Sequence, residues 1–154
     1  MGIDFHSKKN RFTYTTRTAD SSWKKTIKQL VPFENVSKAV DIGCGGGIYS
    51  KALAGMGVAS VTGIDFSEEI LEGETINCKD NKNISFRYGS AYDTGLHSNN
   101  FDVVLERALI HHLDELQNCF KEAYRILNDE GYYLVQDRTP DDCLLKGNDN
   151  HLRG

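Results

Sequence analysis

The sequence has few prolines, no closely spaced cysteine pair and no long hydrophobic run. Two prolines in 154 residues leave little room for a linker and favour one domain over 1–154, with 1–38 as an N-terminal helical segment. No apolar run approaches the roughly 18 residues of a membrane helix. No hydrophobic segment follows the basic residues of the N-terminus, as it would in a signal peptide. These absences predict a cytoplasmic protein with no membrane association.

Metal-binding and redox cysteine motifs are also missing. The four cysteines, at positions 44, 78, 119 and 143, lack the spacing of a zinc site or a redox dithiol. We therefore expect free thiols in a reducing compartment and no metal site.

The sequence has no overall excess of positive charge, with 18 Lys and Arg against 22 Asp and Glu, which bears on partners. The formal net charge is −4, so no general positive field attracts nucleic acid, and none is expected as a partner. Residues 1–38 carry a net charge of +5 and the remainder −9. A basic arm could contact an anionic substrate or RNA, but a solvated amphipathic segment is the favoured interpretation.

What is present is an alternation of short apolar segments and helical patterns. A helix is predicted from Ser21 to Leu30, ended by Pro32. The segments predicted as strands are 39–42, 60–65, 84–88, 101–105 and 132–136. Between them, helices are predicted over 48–54, after the N-cap Ser67, and along the apolar positions Leu113, Leu116, Phe120, Ala123 and Leu127, with a turn at 128–131. Strands that alternate with helices form parallel crossovers, so the predicted fold is α/β, doubly wound, with a mostly parallel sheet.

A glycine-rich turn directly follows the first predicted strand. Gly43, Gly45 and Gly47 come two, four and six residues after Asp41, and glycine lets the backbone turn sharply and approach a ligand closely. A dinucleotide-binding fingerprint would need glycine at position 48, but this sequence has Ile48 there, which disfavours NAD or FAD. The turn could merely connect strand and helix, but its acid and alternating glycines favour a ligand site.

A second acid ends the second predicted strand. Asp65 lies 18 residues beyond Gly47, where a carboxylate can accept both hydroxyls of a ribose. Its alternative role is to favour the start of the helix after Ser67. Phe66 could lie against a purine ring or belong to the core.

These motifs, taken together, resemble a known family. From 39 to 137 the chain carries AVDIGCGGG, VTGIDFS, ISFRYGSAYD, FDVVLERALIHHL and EAYRILNDEGYYLVQD in order. In this it resembles the class I, Rossmann-like, S-adenosylmethionine-dependent methyltransferases. The resemblance implies S-adenosylmethionine as cofactor and methyl transfer to a small-molecule acceptor. A non-catalytic S-adenosylmethionine-binding protein and an NAD-dependent oxidoreductase are the alternatives.

The resemblance also implies roles for individual residues. Asp41 and the loop that contains Gly43, Cys44, Gly45 and Gly47 would hold the methionine part of the cofactor. The other implied contacts are Asp65 to the ribose; Phe66, Ser90, Ala91 and Tyr92 to the adenine; Glu106 and Arg107 beneath the methionine and sulfonium; and Tyr14 and Arg17 over the cofactor. Ser90 departs from the family, which often has an aspartate there, and a neutral acceptor makes a weaker hydrogen bond.

Two adjacent histidines are candidates for a general base. His111 and His112 follow the fourth predicted strand, and histidine titrates close to neutral pH. They are predicted as catalytic residues that remove a proton from the acceptor. Alternatively, they begin a helix and pack their rings.

The segment after the fifth predicted strand is short for this family. Only 17 residues follow Asp137, whereas one strand–helix–strand unit takes roughly 30. The sequence therefore predicts a truncated member that lacks the last two strands. An unprotected fifth strand would favour a homo-oligomer through that edge, or a stability lower than that of a longer form. Little or no turnover is expected, because the segment that covers the substrate in this family would be missing.

Overall fold

A five-stranded parallel sheet organises the chain in the computed structural model, which describes residues 21–43, 45–107 and 114–136. The strands are β1 Lys38–Ile42, β2 Ser60–Asp65, β3 Ile84–Tyr88, β4 Phe101–Arg107 and β5 Leu127–Gln136. The helices are α1 Ser21–Leu30, α2 Ile48–Gly55, α3 Glu68–Asn77 and α4 Leu116–Ile126, with a 3-10 turn at Phe33–Asn35. This is the predicted doubly wound α/β fold.

The strand order β3-β2-β1-β4-β5 places a topological switch point between β1 and β4. The chain moves outward from β1 through β2 to β3, and then returns to place β4 on the other side of β1. Loops that leave neighbouring strands in opposite directions open a crevice at the carboxyl ends of the strands. We call that side of the sheet the carboxyl edge.

Both faces of the sheet are buried, which explains the continuous apolar strands. Alternate strand residues enter two separate cores, as Ala39 and Val40 of β1 do. One core packs beneath α1 and α2 through Trp23, Leu53 and their neighbours. The other packs beneath α4, where Cys119, Ala123 and Ile126 are fully buried.

Local sequence signals predicted where most helices and strands begin and end. The predicted N-cap is confirmed, because the Ser67 hydroxyl accepts the Ile70 N–H at 3.3 Å at the start of α3. The fourth strand is two residues longer than predicted and ends at Arg107. Leu127 was predicted as helical, but it begins β5 opposite Phe101.

The predicted turn at 128–131 lies inside β5 as an irregularity of the strand pairing. Leu127 pairs with Phe101 and Tyr132 with Val103, so four residues of β5 lie opposite Asp102 alone. Asn128 Nδ2 donates to the Asp102 carboxylate at 2.8 Å. A Cβ on Gly131 would lie 2.7 Å from a Leu127 methyl carbon and 3.1 Å from two carbonyl oxygens, so a larger residue would crowd this tight segment.

Helix α1 is attached to the carboxyl edge through one side chain. The indole N–H of Trp23 donates to the Gln136 side-chain oxygen at 2.7 Å, at the end of β5. The Trp23 ring also packs edge-on against Tyr49, with centroids 4.7 Å apart.

Among the described residues, no helix has both the length and the apolar character needed to cross a bilayer.

Candidate cofactor site

The glycine loop leaves β1 beside the switch point. Gly43 continues the pairing with β2, since its N–H donates to the Ile64 carbonyl at 2.7 Å. All four described glycines of the loop have positive φ: 71° at Gly43, 33° at Gly45, 99° at Gly46 and 81° at Gly47. Side-chain-bearing residues rarely adopt this conformation, so the sequence of glycines is a backbone requirement.

Asp65, at the end of β2, contacts the same loop. Its Oδ2 accepts the Gly45 N–H at 3.2 Å and its Oδ1 accepts the Phe66 N–H at 2.8 Å. Burial raises the pKa of Asp65, while these N–H groups and that of Ser67 oppose the rise. The structure thus brings together the two features that the sequence linked only by spacing.

Asp41 lies in the sheet below the loop and is almost fully buried. The Ser50 hydroxyl of α2 donates to Asp41 Oδ2 at 2.8 Å. Burial is the main cause that raises the pKa of Asp41 to about 7, against the lowering effect of Ser50. The charge of Asp65 raises this pKa further, and Arg107 lowers it. A cation bound nearby would favour the charged form of Asp41.

Helix α3 supplies a loop contact that the sequence analysis missed. Glu74 has no exposed surface, and its Oε2 accepts the Gly46 N–H at 3.0 Å. A signal for it exists in the sequence. Glu74 falls four residues after Ile70 and four before Cys78, so it is an acid on the apolar side of the helix.

The residues predicted for the adenine lie on the loops after β2 and β3. Phe66 is 69% exposed, and Ala91 is buried. Ser90 Oγ accepts the N–H groups of Tyr92 at 3.2 Å and Asp93 at 3.1 Å. If Ser90 Oγ also accepted the predicted hydrogen bond from the adenine, the adenine would share this oxygen with two backbone donors. The Tyr92 hydroxyl accepts the N–H of Asp114 at 3.1 Å, which ties this loop to the segment before α4.

Glu106, the next-to-last residue of β4, is fully buried on the α4 side of the sheet. The Tyr133 hydroxyl donates to its Oε1 at 2.5 Å, and Cys119 Sγ lies 3.4 Å from both oxygens. Burial raises the pKa of Glu106, with these two bonds opposing it. Burial, with Glu106 nearby, also raises the pKa of Cys119 to about 12, so this thiol stays protonated at neutral pH.

Arg107 ends β4 and faces the opposite side from Glu106. Its guanidinium carbon lies 4.3 Å from the centre of the Tyr49 ring, a cation–π contact. Tyr49 in turn packs on Trp23 of α1. The side chains of α1, α2 and β4 therefore meet at the carboxyl edge, next to Asp41.

Five predicted site residues lie outside the described residues: Tyr14, Arg17, Cys44, His111 and His112. The remaining eleven fall on the glycine loop or on the carboxyl ends of β1, β2, β3 and β4 and the loops that follow them. Across the described ranges, no cluster of three or more His, Cys, Asp or Glu side chains is arranged to hold a metal ion.

Comparison with known proteins gives matches to methyltransferases. The model of a methyltransferase domain family matches residues 40–135. A ubiquinone biosynthesis O-methyltransferase of Pelagibacter ubique is 32% identical to this chain, and the alignment covers 68% of this chain and 42% of that protein. A demethylmenaquinone methyltransferase of Staphylococcus epidermidis is 29% identical over 71% and 46%. The chain thus spans less than half of the length of either relative.

Solved structures agree on the fold. The PH0226 protein of Pyrococcus horikoshii superimposes with a TM-score of 0.70 at 26% identity. The superposition covers 90% of this chain and 70% of that protein. The similarity therefore includes almost every element described above.

Proposed function

Because the chain belongs to the class I S-adenosylmethionine-dependent methyltransferases, we propose that it binds S-adenosylmethionine at the carboxyl edge and transfers its methyl group to a small-molecule acceptor. The described residues fit this cofactor. The glycine loop has a backbone that a ligand can approach, Asp65 offers carboxylate oxygens beside it, and the exposed Phe66 ring is next in sequence.

The hydrogen bond between the Gly45 N–H and the Asp65 carboxylate is the observation that carries the proposal. It joins the loop after β1 to the acid that ends β2, beside the switch point where such sheets bind ligands. An NAD-dependent oxidoreductase is not supported, because position 48 is Ile48 and the matched family is one of methyltransferases.

The residues of this chain are assigned to binding and orientation. The sulfonium of bound S-adenosylmethionine supplies an activated methyl group. Asp41 and the backbone of Gly43 and Gly45 hold the methionine part, and Asp65 holds the ribose hydroxyls. Arg107, stacked on Tyr49, sets the charge of this region by favouring the ionised form of Asp41. The remaining requirement is an acceptor atom held in line with the methyl carbon.

Quinone-type rings are the acceptors that we propose to test first. The names of the two relatives refer to ubiquinone biosynthesis and to demethylmenaquinone. Both names indicate methylation during quinone synthesis, although they belong to proteins more than twice the matched length. His111 and His112 stay predicted as the groups that remove the proton of such an acceptor.

The test is turnover with a panel of phenolic and quinone-type acceptors. Mass spectrometry would follow both S-adenosylhomocysteine and the methylated product. We expect equal amounts of the two with at least one acceptor, and less product after His111→Ala or His112→Ala. Cofactor binding without product from any acceptor would instead favour a non-catalytic binding protein.

We also propose that β5 can pair with a second copy of the chain. Within the described residues β5 has β4 as its one strand neighbour, and its Val135 side chain is 42% exposed. An edge with free backbone groups and apolar side chains favours strand pairing. Sedimentation of the protein and of Val135→Lys tests this, with a dimer expected for the first and a monomer for the second. A monomeric parent protein at high concentration would contradict it.

A further inference from the structure

We propose that Glu74, Asn77 and Cys78, a group we call the loop clasp, are positioning residues that hold the glycine loop ready for the cofactor. The inference rests on the proposed function and adds residues that contact the loop from below. It assigns to α3 a role in cofactor affinity, although none of the three residues is proposed to touch the cofactor.

The clasp follows from the spacing of its members in the helix. Residues at i, i+3 and i+4 share one side of an α-helix, so Glu74, Asn77 and Cys78 point in one direction from the last turn of α3. That direction is the glycine loop. Glu74 and Cys78 are buried, whereas Asn77 lies at the exposed border of the contact.

Both polar atoms of the Gly46 residue are bonded by the clasp. Glu74 Oε2 accepts the Gly46 N–H at 3.0 Å, and Asn77 Nδ2 donates to the Gly46 carbonyl at 3.3 Å. These groups lie in a turn where φ is 99°. Because glycine loses more conformational freedom on ordering than any other residue, two specific bonds are needed to select one conformation of this segment.

The third member of the clasp fixes how closely the loop approaches α3. A Cβ built on Gly47 would lie 2.9 Å from Cys78 Sγ and 3.3 Å from a Phe86 ring carbon. The Cys78 thiol is also 3.9 Å from the Gly47 carbonyl oxygen, within reach of a weak S–H bond. The loop therefore rests directly on α3 and β3.

The loop contacts divide into two kinds. The Gly45 N–H bonds to Asp65, which is assigned to the ribose, whereas Gly46 bonds to Glu74 and Asn77. When Asp65 binds the ribose hydroxyls, the clasp still holds the loop. A loop ordered before binding pays less entropy when the ligand arrives, which raises affinity.

Three substitutions test the clasp against a control at the opposite side of the sheet. Glu74→Leu removes the acceptor, Glu74→Gln keeps an acceptor oxygen of the same shape, and Asn77→Ala alters an exposed residue that can be removed without unfolding the core. Asp102→Leu is the control, because Asp102 also accepts two backbone N–H groups, from Ser37 and Lys38, but at the amino ends of the strands. Calorimetric titration with S-adenosylmethionine, at a temperature where every variant is folded, gives the affinities.

We expect Glu74→Leu to weaken binding about tenfold or more, Asn77→Ala to weaken it about threefold, and Glu74→Gln to restore most of the loss. Asp102→Leu should lower the melting temperature and leave the dissociation constant unchanged. In a turnover assay the KM for the cofactor should rise while kcat at saturating cofactor is kept.

The outcomes separate this inference from the proposed function. No binding by the unsubstituted protein would overturn both. Binding by the unsubstituted protein, with unchanged affinity in Asn77→Ala and Glu74→Leu, would overturn the clasp alone. If Glu74→Leu does not fold, the Asn77→Ala titration decides. A Glu74→Gln variant as weak as Glu74→Leu would also overturn the hydrogen-bond account.

Discussion

Carboxyl groups at the carboxyl edge differ in a consistent way from those elsewhere in the protein. Asp41, Asp65 and Glu106 lie at the ends of β1, β2 and β4, and burial raises the pKa of each. Away from this edge, the pKa of Asp102 and of Glu122 is lowered. Both groups of side chains are hydrogen-bonded, so the difference lies in how deeply each carboxyl group is buried and in the strength and charge of its partners.

The Glu122 carboxylate accepts hydrogen bonds from donors of the protein on both of its oxygens. Arg125 donates to both of its oxygens, at 2.9 and 2.7 Å, and the N–H and hydroxyl of Thr94 donate to Oε2. The Arg125 bonds, helped by Thr94, outweigh burial and lower the pKa of Glu122 to about 2. Burial likewise disfavours the charge of Asp102, but the N–H groups of Ser37 and Lys38, the Asn128 side chain and the charge of Lys38 together outweigh it.

At the carboxyl edge, the hydrogen bonds of the acids do not outweigh the rise in pKa caused by burial. Asp41 has its direct bonds from Ser50, and the neighbouring charge of Asp65 opposes its ionisation. Carboxyl groups with raised pKa values that cluster in a crevice are typical of functional sites. The comparison supports the proposal that Asp41 and Asp65 bind a ligand, whereas Asp102 and Glu122 stabilise the fold.

The largest effect is expected from a change in the glycine loop. Gly45→Val should abolish cofactor binding, because φ at Gly45 is 33° and the added side chain would occupy the space where a ligand approaches. Calorimetric titration would measure this. Gly57→Val is the matched control, since φ there is 97° and a Cβ would meet no atom within 4 Å. The control should lose stability and keep its affinity. Normal binding by Gly45→Val would make the loop a mere connector.

The second effect concerns Asp65. Asp65→Ala should weaken cofactor binding by roughly 1.5–3 kcal/mol, because it removes the two charged hydrogen bonds that we propose for the ribose. The loss of folding stability, measured by urea unfolding, should be smaller. Asp102→Ala provides the reverse pattern, with stability lost and affinity kept. Equal affinity in Asp65→Ala and the parent protein, with the fold intact, would refute this assignment.

A smaller effect on stability is expected at Glu122. Glu122→Gln should reduce the free energy of unfolding at pH 7 by about 1–3 kcal/mol, because charge-assisted bonds to Arg125 and Thr94 become neutral. Since the pKa is lowered on folding, the stabilisation by Glu122 is complete above about pH 4.5 and is lost as the pH falls through about 2. Thermal unfolding at pH 7 and pH 3 should therefore differ less in the variant. A pH dependence identical to that of the parent would contradict this.

The smallest effect is a change of affinity with pH through Asp41. If the charged carboxylate faces the positive groups of the cofactor, affinity should fall as the pH drops below about 7, by at most about tenfold per unit. The unliganded protein should change in the opposite sense, because its folded form binds an extra proton between about pH 4 and 7. Its stability should thus decrease as the pH rises through that range.

Asp41→Asn tests this last prediction. The variant keeps the shape of the side chain and cannot titrate, so affinity measured between pH 6 and 8 should become flatter. An unchanged profile would show that another group is responsible for the pH dependence.

The fold could be predicted largely because periodicity and end signals agree along this chain. Ala39 and Val40 are both buried, in cores on opposite faces, which reflects a sheet covered on both sides, and Ser67 marked the start of α3. The end of α4 was less predictable. Leu127 continues the helical spacing of α4. However, it pairs with Phe101, the first residue of β4, and so belongs to β5. Such contacts distant in sequence override local periodicity.

The site was predictable where one strand end carries its own signal. Asp41 and Asp65 lie at the carboxyl ends of neighbouring strands and the glycines follow β1 directly, so topology alone brings them together. Glu74 had no such signal beyond its place on the apolar side of α3, and its partner lies 28 residues away. Glu106 was expected beneath the methionine, but whether it faces the ligand or Tyr133 depends on side-chain packing that the sequence does not encode locally.

The most direct test of the central claim is a calorimetric titration of the protein with S-adenosylmethionine and, separately, with NADH. A cofactor site at the carboxyl edge predicts saturable one-to-one binding of S-adenosylmethionine that Asp65→Ala weakens and Asp102→Ala does not, with no heat from NADH. Binding of NADH in preference to S-adenosylmethionine, or S-adenosylmethionine affinity that is equal in the parent protein and Asp65→Ala, would contradict it.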